Sequence, residues 1–147
     1  MALSLGTGRT GVPTTILFVD GDPSLLKARR LVFEALVYRV LTADSGEGAL
    51  ELLQVNTVDA VILDYLLPGM DGGETARRIH TARGNIVSIL CPGGFSVPQH
   101  VLEAVSASVS KWKGPVALLE VLEQQLQIVP GSRMQGKAAR SDRLVSN

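Results

Sequence analysis

The stretch that decides the fold is Val61-Ile62-Leu63-Asp64-Tyr65-Leu66-Leu67-Pro68-Gly69-Met70-Asp71-Gly72. Its apolar, β-forming start predicts a strand buried on both faces, and Asp64 follows at the carboxyl end of that strand. The proline and glycines that come next predict a loop, and Asp71 is placed to cap the following helix. Because ligands of open α/β sheets gather beyond the carboxyl ends of the strands, Asp64 is a candidate site residue.

A second acidic group follows another apolar stretch, Ile16-Leu17-Phe18-Val19. Asp20 and Asp22 come directly after this predicted strand, and Pro23 opens a helix. On neighbouring parallel strands these two carboxylates and Asp64 would converge on one crevice. Such a group suits Mg²⁺, which binds one or two carboxylates together with waters and a phosphoryl group. The alternative is that Asp20 and Asp22 only cap the helix and that Asp64 only ends a strand.

Apolar residues along the rest of the chain switch repeatedly between strand-like and helix-like spacing. This alternation predicts a parallel sheet covered by helices on both faces. The expected strands are 16–19, 38–42, 58–63, 86–90 and 107–110, and the expected helices are 24–36, 46–54, 73–81, 97–105 and 115–127.

Length and composition limit the classes of protein that fit. The 147 residues suffice for one core, and the formal net charge of zero gives no field that would draw the chain to nucleic acid or membrane. The single cysteine excludes an internal disulfide, and neither a membrane span nor a signal peptide is visible in the sequence. We therefore expect a cytoplasmic protein that binds neither nucleic acid nor membranes.

Both ends of the chain lack the periodicity of the middle. Residues 1–13 are rich in Gly and Thr and predict a disordered tail, whereas residues 130–147 carry several basic residues and predict a second disordered tail. A basic arm for nucleic acid or for an acidic partner is the alternative for the second tail. The expected folded domain is 14–129.

The chain resembles the receiver domain of bacterial two-component response regulators, of which the chemotaxis regulator is a single-domain example. The resemblance covers about residues 14 to 128 and is carried by Asp20 with Asp22-Pro23, by Asp64 with Leu67–Gly72, and by Ser110-Lys111. It implies an α/β, flavodoxin-like fold: a single doubly wound, five-stranded parallel sheet with strand order 2-1-3-4-5 and helices on both faces.

The resemblance also implies a function. Asp64 would accept a phosphoryl group from a histidine kinase or phosphotransfer protein, and Lys111 and Tyr65 would bind that group. A carboxylate can do so when charge is neutralised and the transferring oxygens are held. A downstream protein of unknown identity would then receive the signal. The implied ligands of Mg²⁺ are Asp20, Asp22, Asp64 and the backbone carbonyl of Leu66.

The sequence departs from the family pattern in four places. Gly21 stands where a second acid usually binds the metal. Cys91 and Pro92 replace a Thr or Ser and a small residue; a thiol is a weaker donor than a hydroxyl, and proline has no N–H. Ser108 replaces the aromatic of the usual switch, so Cys91, Pro92 and Ser108 are degenerate switch positions. Trp112 replaces a proline that often follows a cis bond.

Two functional classes remain open. The intact Asp64 and Lys111 favour a single-domain receiver in a two-component phosphorelay that signals through a partner. The degenerate positions favour a pseudo-receiver, which would be a protein-interaction module independent of phosphorylation. We expect that the protein is not an enzyme, because the sequence shows no substrate pocket or second catalytic group. At most, we expect it to remove its own phosphoryl group slowly.

Overall fold

A computed structural model of the protein describes residues 12–127. The two predicted tails lie outside these residues, apart from Val12 and Pro13. None of the helices within 12–127 has the length and apolar character needed to cross a bilayer.

Strands and helices alternate along the described residues, as expected. The last strand is only two residues long, and a short 3₁₀ turn, Lys111–Lys113, that the spacing did not predict comes before the last helix. The strands are β1 Thr15–Val19, β2 Arg39–Ala43, β3 Ala60–Leu63, β4 Val87–Leu90 and β5 Ala107–Ser108. The helices are α1 Pro23–Ala35, α2 Gly46–Val55, α3 Gly72–Ala82, α4 Gln99–Ala104 and α5 Gly114–Leu126.

Helix α4 is shorter than the expected 97–105. It begins after Pro98, which has no side chain able to cap the helix, and Val97 stays outside it. A residue that precedes proline is pushed away from the helical conformation by its contact with the proline ring. The helix therefore starts two residues later than the apolar spacing indicates.

The five strands form one parallel sheet in the order β2-β1-β3-β4-β5, which confirms the predicted topology. Val19 pairs with Leu63, and Leu63 pairs with Leu90, so the strands end in register. Backbone hydrogen bonds extend the sheet by one more row of residues: the amides of Asp20, Asp64 and Cys91 donate to Ala43, Val19 and Leu63. Asp20, Asp64 and Cys91 thus lie side by side at the carboxyl edge.

The core has two layers, one on each face of the sheet. The layer beneath α1 and α5 contains Phe18, Ile62, Ile89 and Cys91 from the strands, whereas Val19, Leu63 and Leu90 belong to the layer beneath α2, α3 and α4. Side chains alternate between faces along a strand, so Asp20 and Asp64, two residues after Phe18 and Ile62, face the α1–α5 side.

The loop after β3 is held tightly against the sheet. The Gly72 amide donates to the Tyr65 carbonyl at 2.7 Å, and Asp71 caps α3 by accepting from the Glu74 amide at 2.8 Å, as predicted. A Cβ at Gly72 would collide with the Asp64 carbonyl and would lie 2.8 Å from the Tyr65 Cα. Only glycine lets the first turn of α3 approach the acidic edge this closely.

Candidate functional site

Two buried carboxylates and one lysine meet at the carboxyl edge of the sheet. Lys111 Nζ lies 2.7 Å from Asp64 Oδ2 and 3.0 Å from Asp20 Oδ2. The first contact is a hydrogen bond, while the second is an ion pair without hydrogen-bond geometry. Asp20 is 1% exposed and Asp64 is 7% exposed. The lysine reaches them from the start of the 3₁₀ turn after β5, so residues distant in sequence form one cluster.

The lysine is held in its charged form. Burial alone would lower the pKa of Lys111, but the hydrogen bonds and negative charges of Asp64 and Asp20 outweigh that effect. The pKa of Lys111 is therefore raised above its ordinary value. The cluster carries two potential negative charges and one positive charge, which leaves it attractive to a further cation.

The remaining carboxylate oxygens accept backbone amides. The Tyr65 amide donates to Asp64 Oδ1 at 2.8 Å, and the Asp22 amide donates to Asp20 Oδ1 at 2.9 Å. These bonds fix the orientation of both carboxylates before any ligand arrives. The neighbouring loop residue Leu66 is 52% exposed.

Asp22 was also predicted as a metal ligand, but its carboxylate caps a helix and does not contact Lys111. Its Oδ1 accepts from the amides of Ser24 and Leu25 at 2.9 and 3.4 Å, so it caps α1. Within residues 12–127, no group of three or more His, Cys, Asp or Glu side chains is arranged to hold a metal ion. The structure therefore brings together Asp20, Asp64 and Lys111 from the predicted set and leaves the Asp22 carboxylate outside the contact.

Gly21 lies between the two acids and is exposed. A Cβ there would be 3.6 Å from Pro68 Cδ, which is an ordinary contact, and the backbone is not in the left-handed region. An acidic side chain would therefore fit at this position without strain.

The ends of β4 and β5 form the other half of the edge. Cys91 is 1% exposed, and this burial raises the pKa of its thiol to about 11, with the Arg29 guanidinium acting against the rise and the charges of Asp64 and Asp20 adding to it. The Pro92 carbonyl accepts from the Lys111 amide at 3.0 Å. Ser108 is exposed. The thiol is thus protonated and inert near neutral pH.

Trp112 lies at the rim of the cluster and is 72% exposed. Its indole Nε1 donates to the Gly93 carbonyl at 3.2 Å, and its ring centroid is 5.9 Å from Lys111 Nζ. The indole therefore joins the 3₁₀ turn to the loop after β4. No peptide bond within residues 12–127 is cis, so the bond between Lys111 and Trp112 is trans.

One charged residue near the site was not singled out from the sequence. Arg29 of α1 is 8% exposed and lies among the buried residues of that helix. A signal for it exists in the spacing, because Leu26, Arg29 and Phe33 fall on one helical face and the other two are core residues. An arginine at such a position on an apolar helical face indicates a buried charge.

The family is shown by comparison with known proteins. The family model described as a response regulator receiver domain matches residues 16–112, which is more than half of the chain. The chain belongs to the response regulator receiver family. Its five parallel strands in the order 2-1-3-4-5 match the fold of CheY-like structures.

Individual relatives agree with the family. The chain is 40% identical over 105 residues to the transcriptional regulatory protein AfsQ1 of Streptomyces coelicolor, covering 65% of this chain and 47% of the relative. It is 30% identical over 111 residues to the response regulator MprA of a Mycobacterium species, covering 76% and 48%. The chain thus spans about half the length of these curated relatives.

Two solved structures have a similar fold. The response regulator TrrA of Thermotoga maritima, in complex with Mg²⁺ and beryllofluoride, is 28% identical with a TM-score of 0.70, and the match covers 77% of this chain and 99% of that one. A CheY-like receiver domain protein from Methanospirillum hungatei is 27% identical with a TM-score of 0.72, covering 76% and 92%.

Proposed function

We propose that Asp64 accepts a phosphoryl group from a histidine kinase or phosphotransfer protein, and that the phosphorylated domain signals through a partner protein. The observation that carries the proposal is Lys111 Nζ, held 2.7 Å from Asp64 Oδ2 and 3.0 Å from Asp20 Oδ2. A charged lysine in this place can stabilise the negative charge of the free carboxylate and then that of the phosphoryl oxygens. Signalling of this kind belongs to the cytoplasm, which stays our predicted compartment.

In the proposed transfer, a carboxylate oxygen of Asp64 forms a P–O bond while the P–N bond of the donor's phosphohistidine breaks. The released imidazole nitrogen takes up a proton. Lys111 holds a phosphoryl oxygen, and the Tyr65 amide keeps the carboxylate turned toward the donor. The chain acts as an acceptor and releases the group to water slowly, so we do not class it as an enzyme.

The residues at the edge fit Mg²⁺. Asp20 Oδ2 is a buried oxygen without a hydrogen bond from the described residues, and two carboxylates face a single lysine. Mg²⁺ accepts one or two carboxylates and keeps several waters. We propose that Asp20, Asp64 and the Leu66 carbonyl hold the ion, with Asp22 as the weakest of the predicted ligands. When bound, the ion neutralises charge on the transferring phosphoryl group.

The test is phosphorylation by a small donor. Purified protein is incubated with phosphoramidate and Mg²⁺, and the intact mass is followed with time. We expect a gain of one phosphoryl group that disappears in Asp64→Ala. Asp44→Asn is the matched control, since Asp44 is an exposed acid that follows the edge strand β2. The Asp44→Asn protein should be phosphorylated like the unchanged protein.

A second candidate function is a phosphorylation-independent interaction module. It is favoured by the end of β4, where Pro92 has no N–H to donate and the Cys91 thiol is buried and protonated. The face formed by α4, β5 and α5 would then bind the partner. This candidate predicts no uptake of the phosphoryl group by the unchanged protein or by a variant whose β4 donors are restored.

A further inference from the structure

Arg29 is a buried cation that the proposed transfer does not use. Its side chain leaves α1 toward the layer beneath α1 and α5, and its residue is 8% exposed. Nη1 is fully buried and has no hydrogen-bond partner among residues 12–127. Burying a guanidinium nitrogen without a partner is unfavourable. The presence of such a group beside a phosphoryl site therefore suggests a ligand of negative charge.

Two contacts define where the guanidinium lies. Its Cζ is 5.6 Å from the centroid of the Phe18 ring, and Phe18 is two residues before Asp20 on the same strand. The guanidinium also lies close enough to the Cys91 sulfur to act against the rise in the pKa of that thiol. Arg29 therefore reaches under the carboxyl ends of both β1 and β4.

The acidic residues lie on the same side of the sheet. Asp20, Asp64 and Cys91 form the row that follows the last paired residues of β1, β3 and β4. Neighbouring strands are about 4.8 Å apart, so Cys91 is the immediate neighbour of Asp64 in this row. The charges of Arg29, Asp64 and Asp20 all act on the same sulfur atom. The guanidinium and the acceptor thus both lie near the buried Cys91 thiol, on one side of the sheet.

We propose that Arg29 is the buried counter-charge of the phosphoryl site, a positioning residue that stabilises the negative charge gained when Asp64 is phosphorylated. This inference rests on the proposed function. Two carboxylates with Lys111 leave one uncompensated negative charge, and a phosphoryl group adds more. Arg29 supplies the positive charge where Cys91 and Pro92 lack the donors of the family pattern. In a low-dielectric core, charge acts over a longer range than in water.

The test compares charge at residue 29 in the full chain. Arg29→Met removes the charge and keeps an unbranched apolar side chain, Arg29→Lys keeps the charge, and Lys27→Met removes one charge from an exposed position of the same helix. For each variant, the rate of phosphoramidate uptake and the affinity for beryllofluoride with Mg²⁺ are measured, together with the melting temperature. If Arg29→Met does not fold, the neutral Arg29→Gln takes its place.

We expect Arg29→Met to lower both the rate and the affinity about tenfold, Arg29→Lys to retain most of both, and Lys27→Met to change neither. The melting temperature of Arg29→Met should not fall, because an unpartnered buried N–H is removed. A purely structural role would lower the melting temperature without dependence on charge.

The outcomes separate the inference from the proposed function. If the unchanged protein takes up the phosphoryl group and Arg29→Met does so equally well, Arg29 is not the counter-charge and the proposed function stands. Equal losses in Arg29→Lys and Arg29→Met would also overturn the inference, because charge would then be irrelevant. If the unchanged protein binds neither phosphoryl group nor beryllofluoride, the proposed function fails and the inference fails with it.

Discussion

The two halves of the carboxyl edge differ in how much of the receiver pattern they keep. At the ends of β1 and β3, Asp20 and Asp64 are buried, oriented by backbone amides and bridged by Lys111. At the end of β4, a protonated thiol and a proline replace hydroxyl and amide donors, and an exposed Trp112 closes the rim. The first half, which we call the acceptor half, is built to hold charge, whereas the second half, which we call the β4 half, offers few donors to it.

Lys111→Met should break the acceptor half most severely. Two buried carboxylates would lose their common cation, and breaking a buried ion pair from one side costs about 3 kcal/mol of unfolding free energy. Chemical denaturation measures the loss. Lys113→Met is the control, since Lys113 is exposed and two residues away, and it should change stability by less than about 0.5 kcal/mol. Equal stability of the two variants would show that the bridge contributes nothing.

Gly72→Ala should break the same half from the side of the loop. The new Cβ would overlap the Asp64 carbonyl, so the loop or α3 must move, at a cost of about 2 kcal/mol. Differential scanning calorimetry follows the change. Gly84→Ala is the control, because its nearest contact would be an ordinary 3.5 Å to the His80 carbonyl. A stable Gly72→Ala protein would mean that the close approach of α3 is not required.

The buried thiol of the β4 half gives a pH-dependent prediction. The pKa of Cys91 in the folded protein is about 11, above the value of about 8.5 for an unfolded thiol. Its contribution to stability is therefore complete below about pH 8.5 and is lost as the pH rises toward 11, by roughly 3 kcal/mol at most.

The check is to compare the unchanged protein with Cys91→Ala by chemical denaturation at pH 8 and near pH 10.5. The variant should lose less stability over this interval, and the loss caused by Lys111, which both proteins share, cancels in the comparison. Identical losses of stability in the two proteins would mean that the thiol is in contact with solvent and that its pKa is not raised.

Gly21→Asp should sharpen the contrast by completing the acceptor half. The side chain fits without strain beside Pro68, and a third carboxylate should tighten Mg²⁺ binding about tenfold, which corresponds to about 1.4 kcal/mol. Isothermal titration calorimetry measures the affinity. Asp22→Asn should change it less, because that carboxylate caps α1. A larger loss in Asp22→Asn than in Asp20→Asn would reverse our ranking of the ligands.

The strands, helices and sheet order could be predicted because they depend on periodicity and on turn residues. Asp64 could be placed at the edge because an apolar run stops at it. The bridge through Lys111 could be anticipated only through the family resemblance, since the lysine is 47 residues from Asp64 and no local pattern joins them.

Other features depend on packing that sequence patterns do not encode. Arg29 was missed because a basic residue in an amphipathic helix is usually exposed. The spacing that it shares with Leu26 and Phe33 becomes decisive only when the fold shows that this face of α1 is buried. Val37 has a φ of 69°, where a glycine would be expected, because the turn between α1 and β2 imposes that conformation on a β-branched residue. The 3₁₀ turn at Lys111–Lys113 is joined to the loop after β4 by the hydrogen bond from Trp112 to the Gly93 carbonyl, a contact between residues that lie 19 positions apart in the sequence.

The most direct test of the central claim is the rate of phosphoramidate uptake in a variant whose β4 half is restored. Cys91→Thr combined with Pro92→Ala returns a hydroxyl and an amide as donors to the developing charge. If the acceptor half is competent and the β4 half limits it, intact mass will show slow uptake by the unchanged protein and uptake about tenfold faster or more in the double variant. Failure of both proteins to gain a phosphoryl group would contradict the account and leave the interaction module as the function.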